Sequence, residues 1–224
     1  MQEIYSQAQA QTSASSNKVL KNTYMLLALT MAVSAIACGL SMAAELGRGT
    51  ALMMNLAAIG IVWFVLPKTA NSASGIYVVF GFTALLGASL GPTINYYLAT
   101  PNGSQVVMQA LAGTALVFFG LSGYVLTTKK DFSFMRGFLV TGLIVVILCA
   151  VALMVAGLFG VNISGASLAI SAAIVFLMSG FILFDTSRII HGGETNYVMA
   201  TVSLYLNIYN LFTALLHLIG ASDD

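Results

Sequence analysis

Charge is scarce in this sequence. Eight Lys and Arg and seven Asp and Glu are spread over 224 residues, 7% of the chain, where soluble domains carry about 25%. So few charges cannot keep a soluble surface of this size hydrated, which excludes a soluble enzyme. The apolar content, 59%, excludes a disordered regulator. A formal net charge of +1 leaves no basic footprint for nucleic acid. Cysteine is limited to Cys38 and Cys149, far apart and outside any C-x-x-C pattern. That removes a disulfide framework and a paired-thiol centre, and both read as small buried hydrophobes. The two histidines, His191 and His217, lack the neighbours of a zinc site. They read as a helix-end cap and an interfacial side chain. No metal, cofactor or catalytic residue is expected, and no P-loop, HExxH or glycine-rich nucleotide fingerprint occurs.

What the sequence has instead is long apolar runs. Seven of them, roughly 23–44, 51–67, 75–96, 105–127, 134–159, 166–190 and 197–219, approach the about 20 residues that a helix needs to cross about 30 Å of hydrocarbon. They are too long for barrel strands and do not alternate. The fold class expected is an all-α membrane protein of seven transmembrane helices. Gly91-Pro92 predicts a kink or stop late in the third run. Gly87 and Gly91 form a G-x-x-x-G motif of close helix contact, while Trp63, Tyr96 and Tyr97 read as interface anchors. With the N-terminus inside, Lys18, Lys21, Lys68, Lys129, Lys130, Arg136 and Arg188 fall on the cytoplasmic side, and Arg48 alone outside. This bias orients the bundle and places the C-terminus outside. Residues 1–17 lack the order of a cleavable signal. The organisation expected is a flexible cytoplasmic tail (1–21), a seven-helix domain (22–220) and a short external tail (221–224).

Ionisable groups deep in a membrane helix are costly and point to function. Asp185 is the one acid well inside a run. Arg188 follows three residues later, so a local Asp185–Arg188 pair and a titrating switch at a cavity mouth are both open readings. In the seventh run Ser203, Asn207, Asn210, Ala214 and His217 share one face, and a polar face should meet protein or water. The seventh helix is therefore expected to be central. Tight antiparallel connection of runs six and seven puts Asp185 and Asn207 at similar depth. Gly120-Leu121-Ser122-Gly123 has the form of an intramembrane serine protease nucleophile. Ser122 and His217 should nonetheless stand about 20 Å apart along the membrane normal, and the seventh run has no Lys for a retinal Schiff base.

Longer motifs carry a resemblance. Phe184-Asp185-Thr186-Ser187-Arg188-Ile189-Ile190, Tyr205-Leu206-Asn207-Ile208-Tyr209-Asn210-Leu211-Phe212 and Lys129-Lys130-Asp131-Phe132-Ser133-Phe134 resemble signatures of the Bax inhibitor-1 family. Lys18–Tyr24, Lys68–Asn71 and His191–Tyr197 are most similar to its bacterial YccA branch. The resemblance implies a central last helix with six around it. For the YccA branch it implies an inner-membrane substrate and modulator of the FtsH protease complex, engaged through a flexible tail that here begins Met1, Gln2, Glu3, Ile4, Tyr5. For other members it implies a pH-sensitive calcium leak gated by two aspartates. Asn207 stands where the second aspartate would be. An amide removes the like-charge repulsion of a carboxylate pair, so the resemblance implies a weakened proton sensor at Asp185, Asn207, Arg188 and Asn210. Lys68 is either a basic partner of that gate or an ordinary positive-inside lysine. One carboxylate and a few amides fall short of the six to eight oxygens that calcium prefers, so any Ca2+ passage would be of low affinity. The resemblance therefore puts protease modulation first and the calcium leak second.

Overall fold

The computed structural model describes residues 2–222, with side chains from Ser15 onward. Every regular element among them is helical: α1 (Gln2–Ala43), α2 (Arg48–Gly60), a π-helical turn (Ile61–Val65), α3 (Leu66–Thr69), α4 (Ser74–Leu98), α5 (Gly103–Thr128), a 3-10 turn (Ser133–Met135), α6 (Arg136–Leu158), α7 (Ser164–Ile190) and α8 (Tyr197–Ser222). Seven segments are long and apolar enough to cross a membrane: Ser15–Ala43, Arg48–Thr69, Ser74–Leu98, Gly103–Thr128, Ser133–Leu158, Ser164–Ile190 and Tyr197–Ser222. They overlie the seven apolar runs, the first beginning earlier, at Ser15. The backbone is helical from Gln2 onward. Met1, the side chains of Gln2, Glu3, Ile4 and Tyr5, and the terminal Asp223 and Asp224 lie outside the described residues.

The chain divides into two compact units. The first holds the residues up to Gly103 together with Gly192–Tyr205, and the second holds Ser104–His191 together with the residues from Leu206 on. The last helix thus gives its first turns to one unit and the remainder to the other.

In the first unit α1 and α4 pack backbone to backbone, as the G-x-x-x-G motif predicts. A Cβ placed on Gly87 would fall 2.6 Å from the Cα of Ser34, and one on Gly91 would fall 2.7 Å from the Cβ of Ser41. Small residues allow this approach because lipid tails offer no hydrophobic drive between helices, leaving packing and hydrogen bonds to hold them. Tyr205 of α8 completes the core, 1% exposed. Its hydroxyl lies 2.7 Å from Ser34 Oγ and donates to the Thr83 carbonyl at 3.3 Å. The edge of its ring meets Phe82, with centroids 5.8 Å apart.

Pro92 does not end α4, which runs on to Leu98. Proline is tolerated inside membrane helices that pack against neighbours. Here Asn95, just past the proline, donates through Nδ2 to the Met42 carbonyl of α1 at 3.1 Å. Pro67 is met differently. Before it the helix widens into the π turn, and the Leu66 N–H reaches back to the Ile61 carbonyl. That wider turn shifts the hydrogen-bond register just ahead of a residue with no N–H to give.

In the second unit α6 packs on α7 through glycine. A Cβ on Gly180 would fall 2.6 Å from Leu139 Cδ2, and one on Gly142 would fall 2.7 Å from Leu177 Cδ2. Leu139 is the one residue α6 buries. Its other faces, with Phe138, Ile144, Leu148 and Met154, are exposed, as suits a helix solvated by lipid. Cys149 stands on this exposed surface while Cys38 is buried, so only Cys38 meets the expectation for the cysteines. Asn162 accepts from the Ser164 backbone N–H at 3.0 Å and its Oγ at 2.7 Å, steadying the start of α7.

The close α1–α4 approach gives a matched test. Gly87→Ala should destabilise the detergent-solubilised protein by about 1–3 kcal/mol. Gly81→Ala on the same helix, where an added Cβ meets nothing within 4 Å, should be neutral. Thermal unfolding of the two variants side by side checks this.

Candidate functional site

Asp185 lies near the end of α7, and its register follows from the helix that carries it. Phe184, Asp185, Thr186 and Ser187 are all buried, although three of them are polar. A carboxylate 8% exposed needs partners, because hydrocarbon supplies none. Asn207 of α8, 7% exposed, provides one: its Nδ2 donates to Asp185 Oδ2 at 2.7 Å. The two residues read as equal in depth are in direct contact. The chain brings them together through a short reversal after His191, where Gly192 adopts φ +75°, a left-handed turn that favours glycine.

The neighbouring hydroxyls continue the pattern. Thr186, fully buried, shares a 3.2 Å hydrogen bond with Ser122 of α5. Ser122, the serine of the G-x-S-G sequence, is thereby engaged with Thr186. His217 instead lies 2.9 Å, Nδ1 to Oγ, from Ser171 of α7. Asn210, one turn beyond Asn207, donates to the Leu206 carbonyl of its own helix at 2.8 Å. Arg188 is exposed three residues past Asp185, while Asp185 itself meets the Asn207 amide. Lys68 belongs to the first unit, exposed in the last turn of α3.

Sequence reading missed two loop attachments beside these helices. In the second unit, Ser187 Oγ accepts from the Phe132 backbone N–H at 3.0 Å and donates to the Lys130 carbonyl at 3.3 Å. His191 places Nδ1 2.8 Å from the Ser187 carbonyl and Nε2 3.1 Å from the Lys129 carbonyl. The loop between α5 and α6 is thus tied to the end of the helix that carries Asp185. Within that loop the Ser133 backbone N–H donates to Asp131 Oδ1 at 2.8 Å. This bond holds the Asp131 carboxyl below the usual carboxylate range. In the first unit, Asn196 Oδ1 accepts from the N–H groups of Val198 and Met199 at 2.9 and 3.2 Å, an N-cap for α8. Its Nδ2 donates to Asn71 Oδ1 at 2.7 Å and the Ala70 carbonyl at 3.0 Å. The Lys68–Asn71 and His191–Tyr197 motifs thus meet at Asn71 and Asn196. An Asn one residue before a helix is a capping signal legible in sequence; its second bond, across the fold, is not.

The chain is similar to known proteins along most of its length. A family model described as "Inhibitor of apoptosis-promoting Bax1" matches residues 16–224. An uncharacterized membrane protein of Vibrio cholerae is 54% identical, over 93% of this chain and 91% of its own. The modulator of FtsH protease YccA of Escherichia coli K12 is 48% identical over the full length of both chains. The same identity and coverage hold for the inner membrane protein YccA of E. coli O6:H1. These descriptions are of an inhibitor, a modulator and membrane proteins rather than of enzymes.

The Asp185–Asn207 bond should be visible as coupling. Asn207→Leu leaves a buried carboxylate short of a donor and should cost about 1–3 kcal/mol or more. Replacing both residues with Leu should cost clearly less than the sum of the two single changes. Denaturation of the four proteins in detergent closes the cycle, and additive losses would show that the two side chains act independently.

Proposed function

The chain belongs to the Bax inhibitor-1 family, and on that premise we propose that it is a multi-pass inner-membrane protein that modulates the FtsH protease and is also its substrate. The observation that carries this reading is the full-length 48% identity to a relative named as a modulator of that protease. In this reading the N-terminus is cytoplasmic and the C-terminus outside, supported by the seven-to-one division of basic residues. Residues 1–21 form the tail that the protease engages, beginning with Met1, Gln2, Glu3, Ile4 and Tyr5. Residues 22–220 form the transmembrane domain and 221–224 an external tail. The last helix is the central one with six around it. Its most apolar stretch is 50% buried, the largest share of the seven, against 6% for the fifth, and it contributes to both compact units.

A second reading is a pH-sensitive calcium leak, favoured by one observation: a buried carboxylate bonded to an amide on the facing helix. Asp185 is its sensor, Asn207 its partner, and Arg188, Asn210 and Lys68 supporting polar groups. One carboxylate and a few amides do not complete a calcium coordination shell, so passage is transient and of low affinity. This ranks modulation first.

Deleting residues 2–17 should lengthen the protein's half-life in cells that contain FtsH; an unchanged half-life removes the tail from the mechanism. Calcium flux into proteoliposomes between roughly pH 6 and 8 addresses the gate. A pH response that vanishes in Asp185→Asn supports the leak. A response that survives that substitution excludes Asp185 as sensor. Flux that appears only in Asn207→Asp shows that the amide has silenced the pore.

A further inference from the structure

Where α1 and α4 end and α2 begins, the first unit carries an open cleft of about 620 Å3. Its lining is amphiphilic, with Glu45, Arg48, Asn95 and Tyr96 beside Met42 and Leu98. Glu45 and Arg48 are opposite charges three residues apart, both exposed. The chain reverses between them, and no ion pair joins them among the described residues. Each is held in its own place. The Arg48 guanidinium sits over the Tyr96 ring, 5.2 Å from its centroid. A cation stacked by its face keeps the N–H groups of its edge for an anion, and the guanidinium fork matches phosphate oxygens. Glu45 occupies φ +50° just past the end of α1, a position usually given to glycine or asparagine. It is fixed there by its own N–H to the Met42 carbonyl at 3.1 Å and by the Leu46 N–H to the Ser41 carbonyl at 3.2 Å. Asn95 has committed Nδ2 to the Met42 carbonyl, which leaves Oδ1 as a second acceptor.

The cleft thus presents an anion-binding group and a cation-binding pair, held apart and unneutralised, above apolar residues at the ends of three span-length helical segments. We propose that it binds a zwitterion carrying a phosphate and a primary ammonium, the phosphoethanolamine headgroup of a membrane lipid. The phosphate bonds to Arg48, the ammonium to Glu45 and Asn95 Oδ1, and the start of the acyl chains lies along Met42 and Leu98. Headgroup depth is where span-length helices end, which makes the lipid the source of this chemistry. The inference is independent of the Asp185 site and of the protease reading.

The test is lipid binding to the full chain in detergent, followed by native mass spectrometry. The protein should retain phosphatidylethanolamine over phosphatidylglycerol, which lacks the ammonium, by about two- to fivefold, the scale of one exposed ion pair. Glu45→Gln should erase that preference while phosphatidylglycerol is still held, and Arg48→Gln should lower retention of both lipids. Glu45→Gly, which suits the left-handed backbone, should fold at least as well and also lose the preference, so misfolding cannot account for the result. Equal retention of the two lipids by the natural protein, or a preference that survives Glu45→Gln, overturns the proposal. Water-soluble phosphoethanolamine should displace the lipid only weakly. Displacement at lipid-like concentrations would keep the zwitterion chemistry and overturn the assignment to a lipid.

Discussion

Hydrocarbon offers no water to a polar group, and the arrangement of α7 and α8 answers that constraint. Asp185 makes the largest demand, because burying a charge without a donor costs more than any packing gain nearby returns. The Asn207 amide meets it at 2.7 Å. For that contact to exist, the two helices must be antiparallel neighbours in one register. The glycine reversal sets their spacing, and the Ser171–His217 bond ties them again at a distance along both helices. Thr186–Ser122 adds α5 to the same frame. A shift of one residue along α8 would break the carboxylate–amide bond and the histidine bond together. The polar residues therefore determine register in a setting where apolar side chains alone would allow many.

Small residues do the complementary work. Burying apolar surface against a neighbouring helix gains little over burying it against lipid, so helices associate where their backbones come close enough for dense packing. Gly87 and Gly91 bring α4 onto Ser34 and Ser41, and Gly180 brings α7 onto Leu139. Away from Gly142 and Leu139, α6 makes little such contact and most of it is left exposed. The same close approach puts Ser34 within reach of Tyr205, so one packing choice also gives a buried phenol a second partner beside the Thr83 carbonyl.

Much of this was legible in the sequence. Apolar run length located the spans, because the thickness of hydrocarbon is a fixed external ruler. Counting residues from the helix reversal placed Asp185 and Asn207 at one depth, because helical rise is constant. The G-x-x-x-G motif announced a close contact, though not with Ser34 and Ser41. The rest required the fold. Pro92 reads as a break because its own missing bond is visible in sequence, whereas the Asn95–Met42 bond that holds the helix beyond it comes from another element. Asn196 and Asn71 are 125 residues apart, and no local pattern reports that they meet. Arg48 and Glu45 stand three residues apart, a spacing that suggests a local pair, yet the chain reverses between them and the guanidinium stacks on Tyr96 instead.

The distribution of contacts along α1 bears on the two functional readings. A protease that takes hold near the N-terminus must draw out α1 first, and α1 is tied within its unit at several points from Thr23 to Met42. Thr201 of α8 donates to the Thr23 carbonyl, Ser34 meets Tyr205, Gly87 and Gly91 lock on Ser34 and Ser41, and Asn95 holds the Met42 carbonyl. Extracting this helix means exposing several buried polar groups and a backbone-to-backbone seam at once, with no partial slip that relieves them singly. In the protease reading, a helix gripped near its N-terminus but slow to extract would occupy the protease for long before being degraded. All of these contacts lie in the first unit, and the Asp185–Asn207 bond lies in the second. On the two readings, resistance to extraction and a proton-sensitive leak would therefore draw on different residues, so a substitution could weaken one and leave the other intact.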